Sequence, residues 1–132
     1  MKLFEISKDG GAESSVWAYW LFEIKSLASV AILRFDGASR DAYHSHAFDC
    51  ISWVLCGGGL LEDVLAPEDD ASLNVYEPSL RPVVTRRDTF HQVNSIGRTW
   101  VLTFRGPWAD RWREWTVEHG HQTLTHGRKI VD

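Results

Sequence analysis

The chain is a succession of short runs rich in β-branched and aromatic residues, broken by clusters of Gly, Pro, Asp and Ser, and this rhythm limits its fold more than any other feature. The clearest runs are Val16 to Lys25, Ala28 to Phe35, Ala42 to Phe48, Cys50 to Cys56, Leu60 to Leu65, Asn74 to Glu77, Pro82 to Arg86 and Thr99 to Arg105. Runs of this length are too short for most helices and suit strands. Asp36-Gly37, Gly57-Gly58-Gly59 and Ile96-Gly97 mark expected reversals, and the acidic stretch Ala66 to Ser72 reads as an exposed loop. The pattern predicts an all-β sandwich or barrel, and closure into a barrel removes exposed sheet edges. Two places depart from it. In Trp17 to Ile24 the apolar residues do not alternate cleanly, which fits a strand covered on both faces, with a helix as the competing reading. After Pro107, Trp108, Trp112 and Trp115 fall at i, i+4 and i+7, the spacing of a helix with a core-facing stripe.

The 132 residues give one domain, 1–132, with a barrel core over about 16–117 and a polar tail, 118–132, expected to pack weakly. Hydrophobic residues make up 44% of the chain, enough to fill a core. With 14 basic against 18 acidic residues the net charge is −4, which argues against nucleic acid and for a small-molecule ligand. Met1 to Ile6 lack the apolar core of a signal peptide and no run reaches membrane-spanning length, so a cytoplasmic location is expected. Cys50 and Cys56, placed on one extended strand, are about 20 Å apart and beyond disulfide reach.

The chemistry centres on Tyr43-His44-Ser45-His46. Histidines at i and i+2 of a strand point to the same face about 6.6 Å apart, which suits two ligands of one ion. Imidazole binds Zn, Fe, Ni and Cu alike, so the pair does not choose the metal, and two ordinary histidines are the bland alternative. Around the pair stand Gly37 ahead, Cys50 and Val54-Leu55-Cys56-Gly57 after, and Phe90-His91-Gln92-Val93-Asn94 far downstream.

This layout resembles the cupin superfamily, whose first motif is a glycine, H-x-H, a glutamate and another glycine, and whose second supplies a third histidine before an asparagine. The resemblance spans Phe35 to Trp115. His46-Ala47-Phe48-Asp49, Ile51 to Gly58 and Thr99 to Pro107 look like a group of small bacterial and phage cupins with an H-x-H-P-W-D-F-like segment. It implies a double-stranded β-helix, or jelly-roll, barrel with a divalent ion (Fe, Zn, Ni or Mn) on His44, His46 and His91, and a homodimer. Arg86 and Asp88 stand where proline and glycine are common, Asn94 comes one residue early, and Cys50 takes the place of the glutamate. Water then completes the site, with Asp49 or Cys50 as a fourth ligand or in support. Cysteine at that position also resembles thiol dioxygenases, in which it crosslinks to a tyrosine.

Three further sets are weighed against plainer roles. Arg86 beside Arg87 suits an anionic group on a ligand, or is a solvated strand end. Trp53 and Trp100 are candidate pocket walls or, more simply, core. His119, His121 and His126 form a second cluster in polar surroundings and read as surface histidines. No nucleophile elbow, phosphate loop or dinucleotide fingerprint is present. The readings left open are a small metalloenzyme, including an iron-dependent dioxygenase; a non-catalytic binder of metal or small molecule; and a metal-free structural or dimerisation module.

Overall fold

The computed structural model describes residues 1–9, 14–38, 43–65, 71–116, 120–125 and 129–130. Among them are twelve strands and no helix: β1 (Lys2–Lys8), β2 (Trp17–Ile24), β3 (Ala28–Ala38), β4 (Tyr43–His44), β5 (Cys50–Gly57), β6 (Leu60–Leu65), β7 (Ala71–Tyr76), β8 (Val83–Thr85), β9 (His91–Arg105), β10 (Arg111–Thr116), β11 (Gly120–Thr125) and β12 (Lys129–Ile130). All pair antiparallel, as an all-β jelly-roll barrel requires.

The organising element is β9. One side of it pairs with β3, from Ser29↔Arg105 to Ala38↔Asn94, and then with β4 at His44↔His91. The other side pairs with β5 along its second half and β6 along its first. The β5–β6 corner must therefore pass close to the bend in β9, and Gly57-Gly58-Gly59 permits this. A Cβ on Gly58 would lie 1.9 Å from the Ile96 carbonyl oxygen, so only glycine fits without moving backbone. Ile96 N–H donates to Gly59 O at 2.9 Å and locks the crossing.

Strand alternation fills the interior. Ala18 and Trp20 of β2, Ala31, Leu33 and Phe35 of β3, Val54 of β5, Leu60 of β6 and Val101 of β9 form one buried cluster with Val16. Burying each large member contributes about 1.5–3 kcal/mol. A second cluster, Ala47, Phe48 and Cys50, packs against Trp108 and Trp112.

Several expectations are corrected. The strand reading of Val16 to Lys25 holds as β2, over the competing helix, but the helix spacing after Pro107 does not form a helix, and the segment leads into strand β10. Trp108 precedes β10 and Trp112 lies on it, and their rings meet at 5.7 Å beside the second cluster; the Trp115 side chain lies outside the described residues. Asp36-Gly37 and Ile96-Gly97 do not reverse the chain: β3 and β9 run through them, with Gly37 at φ 100° where the β3–β9 register shifts. Of the strand expected over Ala42 to Phe48, Ala42 lies outside the described residues and the rest is strand only at Tyr43–His44. The tail expected to pack weakly contains β11, paired with β10 through Trp112↔Leu124 and anchored by buried Leu124. Residues 66–70 of the expected acidic loop lie outside the described residues, and Ala71 and Ser72 begin β7.

Candidate metal centre

Two segments 45 residues apart in sequence meet at one end of the barrel. β4 is only two residues long, yet it is held between β9 (His44↔His91) and β10 (His44↔Glu114). That pairing sets the His44 backbone beside His91. His46 follows off the strand, its N–H donating to Arg87 O at 3.2 Å, while Ser45 N–H donates to Arg113 O at 2.9 Å. The chain is thus pinned on both sides where it turns His46 inward.

The three rings face one another. Their centroids are 4.9 Å (His44–His46), 5.0 Å (His44–His91) and 4.8 Å (His46–His91) apart, with steeply inclined planes. One ring nitrogen from each lies within 4.8 Å of the other two, and His46 Nε2 is 3.4 Å from His91 Nε2. Two nitrogens each about 2.1 Å from one ion, at about 90–109°, are about 3.0–3.4 Å apart, so this pair has the spacing of shared ligation.

Protonation fits the same use. Burial, reinforced by His44, His91 and Arg105, holds His46 well below its usual value, so the ring is neutral and offers a lone pair. His46 Nδ1 is buried with no hydrogen-bond partner among the described residues. The buried His91 ring faces Glu62 across 2.6 Å from Nδ1 to Oε2. Burial tends to raise the Glu62 carboxyl, but the bonds from His91, Tyr76 and Asn74 hold it below its ordinary value, so it is ionised and accepts the Nδ1 proton. The Nε2 lone pair of His91 is then turned to the other two rings. Tyr76 Oη donates to Glu62 Oε1 at 2.9 Å and Asn74 Nδ2 at 3.2 Å, and burial with the Glu62 charge pushes the Tyr76 hydroxyl up to about 12, so it stays a donor.

The triad opens on a cavity of about 200 Å³. Leu33, Phe35, Val54 and Val101 give it apolar walls; Cys50, Ser52, Thr85, Thr103 and Arg105 make a second polar zone. Burial pushes the Cys50 thiol up, against the pull of Arg105 and three hydroxyls, so the sulfur is protonated. Ser52 Oγ donates to Thr103 Oγ1 at 3.0 Å. Arg105 is paired with Asp9 through 3.0 and 2.6 Å bonds.

Other candidates fall elsewhere. Asp49 is exposed and accepts the Arg87 N–H at 2.7 Å, away from the cavity. Cys50 lines the cavity but is not among the converging ligand atoms. Arg86 is exposed in the turn after β8. Trp53 packs edge-on against Phe104, and Trp100 tilts against Tyr19, both on the outer face of the sheet rather than on the cavity. His121 is exposed on β11 against Phe90; His119 and His126, like the Tyr43 side chain, lie outside the described residues. Sequence reasoning missed Glu62, although it shares strand parity with buried Leu60, and an acid on an inward position is itself a signal.

The architecture has parallels among solved structures. The hydroxypropylphosphonic acid epoxidase of S. wedmorenis aligns over 76% of this chain with a TM-score of 0.59 at 11% identity. A structural-genomics target from Shewanella oneidensis aligns over 80% with a TM-score of 0.62 at 13% identity, and a variant oxalate decarboxylase of Bacillus subtilis over 73% with a TM-score of 0.56 at 12% identity. All three are cupin-fold proteins. The fold is that of the cupins. The chain spans 54% of the epoxidase, 73% of the Shewanella protein and 26% of the decarboxylase. No family model matches the sequence, and no curated protein matches it.

Proposed function

We propose that this protein is a mononuclear metalloenzyme, with a divalent transition-metal ion on His44, His46 and His91 and a small molecule transformed in the adjoining cavity. The observation that carries this reading is the convergence of three imidazoles, one fixed by an ionised carboxylate through its far nitrogen. An all-imidazole set favours iron, zinc or nickel over the oxygen-seeking magnesium and calcium. Among the structural neighbours, one epoxidase structure is described as an Fe(II) form and a decarboxylase study concerns Mn(II) centres. Iron(II) is the ion we assign, because the apolar walls suit dioxygen, itself an apolar molecule. When bound, such an ion supplies Lewis acidity and electrons for dioxygen chemistry.

The chain's own residues do the rest. Glu62 holds the His91 ring and its tautomer, with Tyr76 and Asn74 holding Glu62 in turn. Leu33, Phe35 and Val101 keep water from the reacting face, and Ser52, Thr85 and Thr103 offer hydroxyls to orient a polar end of the substrate.

The test is oxygen uptake by protein loaded anaerobically with iron(II), across a panel of small thiols and carboxylic acids. Substrate-dependent uptake is expected with iron and not with zinc. Turnover with zinc, nickel or manganese and none with iron sinks the oxygenase assignment. For Glu62→Gln, metal affinity measured by chelator competition is expected to fall about 10- to 100-fold, the usual effect of losing a carboxylate behind a ligating histidine. Unchanged affinity removes Glu62 from the centre.

A further inference from the structure

Among the described residues lining the cavity, Arg105 is the one permanent cation. Register fixes its surroundings. On β9 it lies opposite Cys50 of β5, and Cys50 lies opposite Thr85 of β8. The neighbouring row puts Thr103 opposite Ser52. Directly opposed residues of antiparallel strands share a face, so the second polar zone of the cavity is built from hydroxyls, a thiol and a single guanidinium. Phe48 ties this zone to the triad: its ring stacks on His46 at 5.0 Å and lies 4.6 Å from Arg105 Cζ. One ring's width therefore separates the guanidinium from the histidines, and a short-chain molecule with one end at the triad has its other end against this zone.

A buried cation beside apolar walls calls for an anion, and the fork of arginine takes a carboxylate through two bonds. Here the fork is filled from within. Asp9 Oδ1 accepts from Arg105 Nη1 at 3.0 Å, and Oδ2 accepts from Nη2 at 2.6 Å. Asp9 stands just beyond β1 and is held there by its own N–H, which donates to Val16 O at 2.9 Å. It lines the cavity itself. Glu62, the other carboxylate on the wall, is committed to His91, Tyr76 and Asn74. The polar zone thus offers a ligand no uncompensated charge. A second anionic group arriving there meets the Asp9 carboxylate and gives up its water without gaining a counter-ion.

We propose that Asp9 sets the substrate class: by neutralising Arg105 it reserves the second polar zone for an uncharged hydrogen-bonding group, an alcohol or a primary amide, and rejects a molecule that brings a second anion. The inference rests on the proposed reading of the cavity as a substrate pocket beside a metal ion, and adds the chemistry of the end remote from that ion. Alcohols and amides both donate and accept, which matches Ser52, Thr85 and Thr103. Arg86, the arginine that the sequence offers for an anionic group, is exposed, whereas the arginine that faces the cavity is already paired.

Ligand-observed NMR titration at pH 8, where an ordinary imidazole is neutral, tests this with two pairs of probes. The zinc-loaded chain is titrated with 4-hydroxybutyrate and succinate, which share a carboxylate and differ at the other end. The metal-free chain is titrated with propionamide and propionate. Wild type is expected to bind the uncharged-ended member of each pair at least about 10-fold tighter, the effect of like charges held a few ångströms apart. Asp9→Asn is expected to reverse both preferences, because Arg105 then lacks its counter-ion and the ligand carboxylate supplies it. Asp9→Ala combined with Arg105→Met is neutral again and is expected to keep the wild-type order, which a role of Asp9 in shape alone does not explain. Near-UV circular dichroism checks that each variant folds, and the wild-type preference decides by itself where one does not. Succinate and propionate binding wild type as tightly as their partners overturns the proposal, as does a folded Asp9→Asn chain with the wild-type order, or no binding of any of the four probes. A chain that retains no zinc yet prefers propionamide, with Asp9→Asn reversing that preference, supports the proposal and sinks the metal centre instead.

Discussion

Alanine at Asp9 is expected to cost about 3 kcal/mol of folding stability, the scale on which removing one partner of a buried ion pair destabilises. For a domain of this size that is a fall in Tm of about 10 °C. Arg105 is the reason. Its side chain is only 6% exposed, lies between the rings of Trp20 and Phe48, and has an Nε with no partner among the described residues. Asp9 supplies both of its bonds, at 3.0 and 2.6 Å, so its removal strands a buried cation, with Glu23 nearby to soften the loss. Adding Arg105→Met to Asp9→Ala is expected to recover part of it, since an apolar chain there carries no charge to desolvate. The sign of the pH dependence follows. Burial works to raise the Asp9 carboxyl, but the Arg105 charge and hydrogen bonds hold it below the ordinary value of 3.8. The stabilisation is therefore full above the unfolded value and lost as pH falls through the lower folded one. Urea unfolding at pH 7, 5 and 3 is expected to show wild type and Asp9→Ala well separated at the first two and converging at the third. Equal stabilities at pH 7 refute the account.

How much of this was legible in the sequence depends on where the period of two holds. Most of β2, β3, β5, β6 and β8 and the second half of β9, from Thr99 to Arg105, could be read from β-branched and aromatic runs with glycine punctuation. β1 and β11 could not, because Lys2–Lys8 and Gly120–Thr125 carry few inward apolar residues and owe their strand form to backbone pairing with β2 and β10. The His44–His46 pair was visible as a spacing; His91, a lone histidine, was visible only by resemblance to a family pattern. Asp49 was considered on chemistry alone, as an acid beside the pair, yet it stands an odd three residues from His46 and is exposed, accepting from Arg87 N–H away from the cavity. Trp53 and Trp100 take the plainer of their two roles, packing against Phe104 and Tyr19; Trp53 is out of step with Cys50, Ser52 and Val54, and strand parity alone directs it outward.

His46→Ala is expected to bring bound metal from about one ion per chain to near none, with affinity down at least about a hundredfold, beyond the loss expected at Glu62, because a coordinate bond is removed rather than reoriented. His46 is the choice because it lies closest to a partner nitrogen, 3.4 Å from His91 Nε2, and because burial keeps it neutral at physiological pH. Its ring also stacks on Phe48 at 5.0 Å, so the alanine leaves a gap beside the second core cluster. Loss of metal must therefore be separated from loss of fold. Cys50→Ser and Asp49→Ala serve as companions: the first alters a buried cavity residue and the second an exposed loop acid, and both are expected to keep one ion per chain in elemental analysis. A folded His46→Ala chain with undiminished metal content means that the three rings are a packing cluster, and the activity proposed for the cavity goes with them.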